Sequence, residues 1–175
     1  MSDIPKSKRA HSNLEAHHQA LAVRRMISVE LLSSFAYSEK KLEAAIKKQT
    51  AHIQDPEHKK DVAEAIRSLE NDYACWFIKR HRDRVDDLTC AIAQHIRAAN
   101  TIWPSYRVEY LDRRDELNQA LKCCNQLQDE LQYIAEALPA DKNRYMNIVL
   151  EVEKLFNMVK KLRQSDNRFL KHLKD

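Results

Sequence analysis

The feature that most restricts the fold of this 175-residue chain is that it contains no glycine. A chain of this length and average composition would contain about a dozen. Glycine takes positive φ angles most readily, so tight hairpin turns are disfavoured here. The phosphate loops of P-loop and Rossmann proteins need glycine at fixed places and are excluded outright. The sequence therefore predicts an all-α fold.

Apolar residues recur every three or four positions, which is typical of amphipathic helices that pack against one another. The most regular seam runs from Tyr110 through Leu117 and Leu131 to Leu138. A flexible basic tail is expected at residues 1–10, followed by a single domain at 11–175. The predicted helices of that domain cover about residues 12–53, 57–101, 105–138 and 141–173.

Prolines mark the connections between the predicted helices. Pro56, Pro104 and Pro139 each follow a residue that proline pushes out of the helical region. Short connections imply antiparallel neighbours, so the sequence predicts an up-down-up-down four-helix bundle. Asp141 has the position of an N-cap for the last helix. Unbroken helices of more than 40 residues are rare, so a kink or frayed turn is expected at Ser33-Ser34 and within 79–87.

The C-terminal end of the last helix is strongly basic, although the whole chain carries only +4 (30 − 26). Residues 160–175 hold six Lys or Arg against two Asp, which gives +4 in 16 residues. Only Arg163 and Asp166 have the spacing of an ion pair. We expect this end to bind the phosphate backbone of a nucleic acid, although cations also favour the negative end of a helix. The candidate residues are Lys160, Lys161, Arg163, Arg168, Lys171 and Lys174.

A second basic cluster lies within the second predicted helix. Three aspartates at helical spacing, Asp83, Asp86 and Asp87, are expected to neutralise much of it. A solvated surface is therefore the main alternative to nucleic-acid binding here. The aromatic residues just before the cluster, Tyr73, Trp76 and Phe77, are expected in the core rather than on a base-stacking surface. The candidate residues of the cluster are Lys79, Arg80, Arg82 and Arg84.

The sequence offers little support for catalysis or metal binding. Glu15 and His18 form the one Glu-x-x-His match, where a di-metal bundle needs two. No Arg–His pair has the spacing that HEPN-type helical ribonucleases carry. The four cysteines form no C-x-x-C pair and suggest free thiols in a reducing compartment. With no signal peptide and no apolar run that could span a membrane, we expect a cytoplasmic protein without metal, cofactor or enzymatic activity.

The bundle architecture, the break at Ile102-Trp103-Pro104 and the closing basic segment 160–168 resemble the accessory variability determinant proteins of diversity-generating retroelements. Those proteins are small, basic four-helix bundles that form a homopentamer. They bind the reverse transcriptase of the element and its template RNA. The resemblance implies an RNA partner, a reverse-transcriptase partner and a homo-oligomer, and it transfers no functional residue by motif.

Two further functions stay open at this point. A helical protein–protein adaptor would use the charged residues only for solvation and would bind no RNA. A helical nuclease or toxin would need turnover, for which no nucleophile and base stand out in the sequence. The preferred hypothesis is an accessory protein that oligomerises, binds RNA and supports cDNA synthesis by a reverse transcriptase.

Overall fold

The computed structural model describes residues 14–30, 35 and 37–174, with only the backbone of Glu30. Across these ranges the regular structure is helical apart from two isolated β-bridges, which confirms the predicted all-α class. The predicted tail at 1–10 lies outside the described ranges. The α-helices are α1 (Glu15–Glu30), α2 (Glu39–Gln49), α3 (Pro56–Thr101), α4 (Arg107–Ala137) and α5 (Lys142–Ser165), and a 3₁₀ helix (Asp166–Lys171) follows α5.

Aspartate side chains begin two of the helices. Asp55 accepts a hydrogen bond of 3.2 Å from the backbone N–H of Glu57 at the start of α3. Pro56 lies beside it in the first turn, where a missing N–H costs no helical hydrogen bond. Asp141 accepts an equivalent bond of 3.2 Å from Asn143, so the predicted cap of the last helix is confirmed.

The single helix predicted for 12–53 is wrong, because α1 and α2 are separate helices. Between them Phe35 is buried and has a φ of 43°, a left-handed conformation that is costly for a bulky residue. The hydroxyl of Tyr145 donates to the carbonyl of Phe35, and Ser38 N–H donates to the carbonyl of Pro139 at 2.9 Å. Contacts with the α4–α5 connection therefore hold the chain in a turn. The predicted bend at Ser33-Ser34 falls on residues outside the described part.

The frayed turn predicted within 79–87 does not occur, since α3 is α-helical throughout this segment. Side chains of this segment are held by neighbouring helices instead. Asp86 pairs with Arg24 of α1 at 3.4 Å, and Arg84 pairs with Glu130 of α4 at 2.9 Å. These contacts supply the tertiary support that a long helix needs.

The last helix was predicted to continue to 173, but α5 ends at Ser165 and the chain tightens into the 3₁₀ helix. Asp166 turns inward there and is buried against Arg113 of α4. Beyond the 3₁₀ helix, Lys174 forms a parallel β-bridge with Tyr106, next to the α3–α4 connection. The C-terminal segment is thus fixed to the end of the bundle.

Helices α1, α4, α5 and the second half of α3 enclose one hydrophobic core. Helix α3 packs on α1 and α4, and α5 packs on the same two helices. The His81–Glu130 and His95–Glu116 contacts show that α3 and α4 run antiparallel, because the α4 number falls as the α3 number rises. The largest fully buried side chains are Ile27, Phe35, Phe77, Ile92, Ile96, Leu117, Leu127, Leu131, Ile134, Ile148 and Leu155.

Helix α2 packs on the first half of α3 and makes a two-helix arm, defined here as α2 together with residues 56–73. Leu42 and Ile46 of α2 are buried, as is Thr50 just after the helix, and residues 56–73 contain no buried side chain. The described part of the chain therefore holds five α-helices. The simple four-helix bundle that the sequence predicts is not confirmed, because α2 is a separate element of the arm.

Candidate nucleic-acid interface

The strongest candidate interface is the C-terminal basic surface, defined as Lys160, Lys161, Arg163, Arg168, Lys171 and Lys174. All of these residues except Arg163 are exposed. Within the described ranges none of them takes part in an ion pair. Arg163 is half-buried, and its Nε is buried without a hydrogen-bond partner in the same ranges. Five exposed cations therefore remain for an anionic partner.

The absence of a carboxylate partner on this surface has a clear cause. Asp166 is the one acidic residue of 154–174, and it binds Arg113 rather than the predicted Arg163. The guanidinium donates to both Asp166 oxygens, at 2.7 Å from Nε and 3.3 Å from Nη2. The two side chains are only 6% and 1% exposed. The negative charge of Asp166 is thus neutralised inside the protein and does not offset the surface cations.

Arg113 also donates hydrogen bonds to backbone carbonyls at the end of α3. Its Nη1 donates to the carbonyl of Ile102 at 3.0 Å and to that of Ala99, two of the carbonyls that a helix end leaves without an intrahelical partner. One buried guanidinium therefore joins the end of α3, helix α4 and the 3₁₀ helix. This junction fixes the segment that carries Arg168, Lys171 and Lys174.

The cations of the C-terminal basic surface surround the end of the bundle rather than lying on one helix face. Lys160 and Lys161 are adjacent on α5 and so point about 100° apart. Lys161 lines a cleft with Leu14 of the segment leading into α1. Arg168 and Lys174 line a different cleft, beside Trp103. A flexible strand that curves around this end would meet cations along its path.

The second predicted cluster, at Lys79, Arg80, Arg82 and Arg84, is partly neutralised. The predicted intrahelical pairs with Asp83, Asp86 and Asp87 do not form. Arg84 instead pairs with Glu130 of α4, and Asp86 pairs with Arg24 of α1. Lys79 and Arg82 are exposed and take part in no ion pair within the described ranges. These two residues are a weaker candidate than the C-terminal basic surface.

The structure does not bring the two predicted clusters together. His81, within the second cluster, precedes Ala99 by 18 residues on α3, which is about 27 Å along a helix. Ala99 lies at the end of the bundle, where its carbonyl accepts from Arg113. One short stretch of nucleic acid would therefore contact the clusters separately, and we assign the interface to the C-terminal basic surface alone.

The expectation that Tyr73, Trp76 and Phe77 all belong to the core is wrong for two of them. Phe77 is fully buried, whereas Trp76 is 56% exposed and Tyr73 is exposed beside it. The side chain of Arg80 lies over the Trp76 ring, 5.6 Å from its centroid. Ala74 and Phe77 are buried at the same level of α3, so Trp76 lies on the solvent face of the helix.

Sequence reasoning missed Arg113 and the cleft at Trp103. The position of Arg113 could have been found, because it lies in the seam between Tyr110 and Leu117 at steps of three and four. A charged residue at a seam position needs a buried partner, and Asp166 continues the seam of α5. The cleft at Trp103 depends on the chain returning along the α3–α4 connection, for which the sequence gives no local signal.

Two histidines are engaged by carboxylates and one thiol is shielded by burial, whereas Cys75 is an exposed free thiol. His95 contacts Glu116 at 2.8 Å, and His81 contacts Glu130. Burial raises the pKa of Cys124 to about 12, so its thiol stays protonated at neutral pH. The described residues contain no group of three His, Cys, Asp or Glu side chains that could hold a metal ion. None of the described helices is long and apolar enough to cross a membrane.

Comparisons of the chain with protein-family models, with curated proteins and with solved structures give no match. The retroelement resemblance of the sequence therefore stays a prediction. A functional conclusion has to rest on the geometry and charge of the surface itself.

Proposed function

We propose that this protein is a non-enzymatic nucleic-acid-binding protein whose C-terminal basic surface binds the phosphate backbone of RNA. One observation carries the proposal: the only carboxylate of 154–174, Asp166, is buried against Arg113 and leaves five exposed cations without an acidic partner in the described ranges. Phosphate contacts require flexible cations on an accessible surface and no particular base geometry.

The rigidity of the junction supports a binding role over simple solvation. The segment that carries Arg168 and Lys174 is held by the buried Arg113–Asp166 pair and by the Lys174 backbone, which bonds Ser105 and Arg107 at 3.0 Å each. A cation on a fixed backbone loses less conformational freedom on binding than one on a free tail. The helix-end preference for cations does not account for Lys174, which lies beyond the end of the 3₁₀ helix.

The resemblance noted in the sequence extends this proposal to a reverse-transcriptase partner. In that role the protein would hold template RNA beside the polymerase, and an up-down-up-down bundle of α1, α3, α4 and α5 would serve as the scaffold. Binding, rather than turnover, would be its contribution to cDNA synthesis in the cytoplasm. The proposed RNA surface is independent of this extension and is tested without the polymerase.

The direct test is a titration of a fluorescently labelled single-stranded RNA with the purified protein at about 50 and about 200 mM salt. With five phosphate contacts, the affinity should fall about 100-fold between the two concentrations. An affinity that does not change with salt would contradict backbone binding through these cations. Absence of binding at the lower salt would refute the proposed function.

A second candidate function is protein binding through the exposed apolar side chains of α3. Leu69, Tyr73 and Trp76 lie at helical spacing on α3, with Leu69 71% and Trp76 56% exposed. Large apolar residues grouped on a surface often mark a protein interface. The predicted homo-oligomer assigns this face to a second copy of the chain. The solution mass of the wild-type protein and of L69Q tests this: the variant should be monomeric if the face joins protomers.

A further inference from the structure

The cleft beside Trp103 combines an aromatic side chain with cations, and no function assigned above uses this combination. It has a volume of about 470 Å³ and lies between the α3–α4 connection and the C-terminal segment. Small-molecule sites span about 300–1,000 Å³, so a single nucleotide fits this size class. The lining includes Trp103, Phe169, Arg168, His172 and Lys174, and its described residues contain no carboxylate.

The aromatic part of the cleft is available to a planar ligand. Trp103 is 38% exposed, whereas Phe169 is buried behind it. Their rings meet edge-on, with centroids 4.9 Å apart and an angle of 85° between the planes, so they do not stack on each other. Stacking of a nucleic-acid base on an aromatic side chain is tolerant of sequence, because every base has a π face.

The cationic part of the cleft is suited to a phosphate. Arg168 lies over the ring of Phe169, with its guanidinium carbon 4.9 Å from the centroid, and Lys174 and His172 lie on the same lining. Two acidic residues of the flanking elements are engaged elsewhere: Asp166 pairs with Arg113, and Glu109 accepts from the backbone N–H groups of Ser105 and Tyr106, at 2.7 and 3.0 Å. Those two donors hold the pKa of Glu109 below its usual value.

The cleft is also preorganised. Lys174 N–H donates to the carbonyl of Ser105, and Arg107 N–H donates to the carbonyl of Lys174, both at 3.0 Å. Within the C-terminal segment, His172 N–H donates to the carbonyl of Phe169 at 2.9 Å. The backbone on both sides of the cleft is therefore fixed before a ligand arrives, which lowers the entropic cost of binding.

Three other clefts of the described structure lack this combination, because each contains at least one carboxylate. The cleft between α2 and α3 is lined by Glu43, the one between α4 and α5 by Asp129, and the one at the start of α1 by Glu15. An acidic group beside the ligand would repel a phosphate. Among these four clefts the one at Trp103 is therefore distinct in its charge, which it combines with an exposed aromatic ring.

From this arrangement we propose that the Trp103 cleft binds one unpaired nucleotide of an RNA strand, with its base stacked on Trp103 and its phosphate held by Arg168, His172 and Lys174. This inference rests on the proposed function and specifies that the RNA bound by the protein is single-stranded. The bases of a duplex are stacked on one another and cannot reach the ring. The cleft therefore confers a preference for single-stranded RNA over duplex RNA.

Tryptophan fluorescence tests the stacking directly, because the chain contains two tryptophans, Trp76 and Trp103. In W76F the emission reports on Trp103 alone. A labelled oligouridylate of about ten nucleotides should quench this emission, and the quenching should saturate at the concentration where the anisotropy of the label saturates. The matched control is W103F, in which Trp76 is the only tryptophan and its emission should not change.

Affinity measurements with W103L and W103F separate stacking from simple packing. Leucine keeps an apolar side chain but no π face, so W103L should bind the single strand about tenfold more weakly. W103F keeps a ring and should retain most of the affinity. Both variants should bind a duplex RNA of the same length as wild type does. An equal loss of duplex and single-strand affinity in W103L would overturn the proposed nucleotide site.

The cations are tested by R168Q and K174Q, with K47Q on α2 as the control for a lost positive charge. Each of the first two variants should reduce the slope of log affinity against log salt by about 0.7, the value for one phosphate contact on a single strand. K47Q should leave the slope unchanged. An unchanged slope in both R168Q and K174Q would contradict the phosphate contacts.

The outcomes distinguish this inference from the proposed function. If the oligouridylate binds at about 50 mM salt but leaves Trp103 emission unchanged in W76F, the nucleotide cleft is refuted and the basic surface stands. If the oligouridylate does not bind at all, both proposals are refuted. A uridine monophosphate that binds as tightly as the oligouridylate would overturn the assignment to a strand and indicate a free nucleotide instead.

Discussion

The core of the bundle and the two-helix arm are built from similar amphipathic sequence, yet only the core buries its apolar residues completely. Ile92, Leu127 and Leu155 are at most 1% exposed in the core. In the arm, Leu69 is 71% exposed, and no residue of 56–73 is buried. A helix in the core is covered by two neighbours, whereas in the described part of the chain the α3 half of the arm packs on α2.

This difference shows that an apolar stripe predicts a helix better than it predicts a core. The stripe of α3 continues through both regions, but its burial depends on how many partners each region has. The core therefore supplies the folding free energy and holds the C-terminal basic surface in place. The arm adds a pair of helices with apolar side chains left in solvent.

The largest effect is expected for the buried ion pair at the end of the core. R113M leaves Asp166 as an uncompensated buried carboxylate and should lower the free energy of unfolding by about 3–5 kcal/mol. Urea denaturation measures this change. The matched control is R97M, which removes an exposed arginine of α3 and should change stability by less than about 0.5 kcal/mol.

The double variant R113M/D166L completes this experiment. Replacing both members of a buried pair by apolar side chains is often close to neutral, so the double variant should recover most of the stability that R113M loses. If R113M alone is as stable as R97M, the pair is not the junction that fixes the C-terminal segment.

The next effect compares the same substitution in the two regions. L127A removes a fully buried side chain of the core and should cost about 2–5 kcal/mol. L69A removes an exposed side chain of the arm and should cost less than about 0.5 kcal/mol. Thermal or urea unfolding of dilute samples measures both. A large cost for L69A that grows with protein concentration would show that a second copy covers the arm.

The smallest effect is expected for the ion pair that joins the two helices of the arm. Arg67 donates from Nε and Nη2 to Glu43, at 3.0 and 3.2 Å, and both side chains are exposed. R67Q should therefore cost less than about 1 kcal/mol, and less still at high salt. Hydrogen exchange of the α2 amides measures this local effect. Faster exchange in α5 than in α2 would contradict the division into a stable core and a weaker arm.

The sequence predicted what depends on local chemistry. The Asp141 cap follows from one side chain and the amide two residues later, and the seam of α4 follows from the helical repeat. The break between α1 and α2 could not be predicted in this way. It depends on a hydrogen bond between Tyr145 and Phe35, which are 110 residues apart, and Phe35 takes a conformation that its own sequence disfavours.

The candidate site shows the same difference between features set by local sequence and features set by long-range contacts. The cations of the C-terminal basic surface were visible in the sequence, because a run of charge needs no structure to be counted. Their partners were not, since local spacing paired Asp166 with Arg163 whereas the fold pairs it with Arg113. This exchange leaves Arg163 without its predicted partner, whereas the five exposed cations are those that the sequence spacing already left unpaired.

The most direct test of the proposed RNA surface uses two lysine pairs, one from each region. One pair, Lys160-Lys161, lies on α5 of the bundle, and the other, Lys47-Lys48, lies on α2 of the arm. All four side chains are exposed, and none takes part in an ion pair within the described ranges. K160E/K161E and K47E/K48E change the net charge of the protein equally. The arm lies far from the end of the bundle that carries the basic surface. Arg67, whose side chain joins α2 to α3, precedes Ala99 by 32 residues, which is about 50 Å along the helix and several Debye lengths.

The measurement is the affinity of both double variants for the same single-stranded RNA at about 50 mM salt. We predict that K160E/K161E binds at least about tenfold more weakly than wild type and loses about 1.4 from its salt slope. K47E/K48E should stay within about threefold of wild type, because its charges are screened from the interface. Equal losses in the two variants would contradict the account, since RNA would then respond to net charge and not to the C-terminal basic surface.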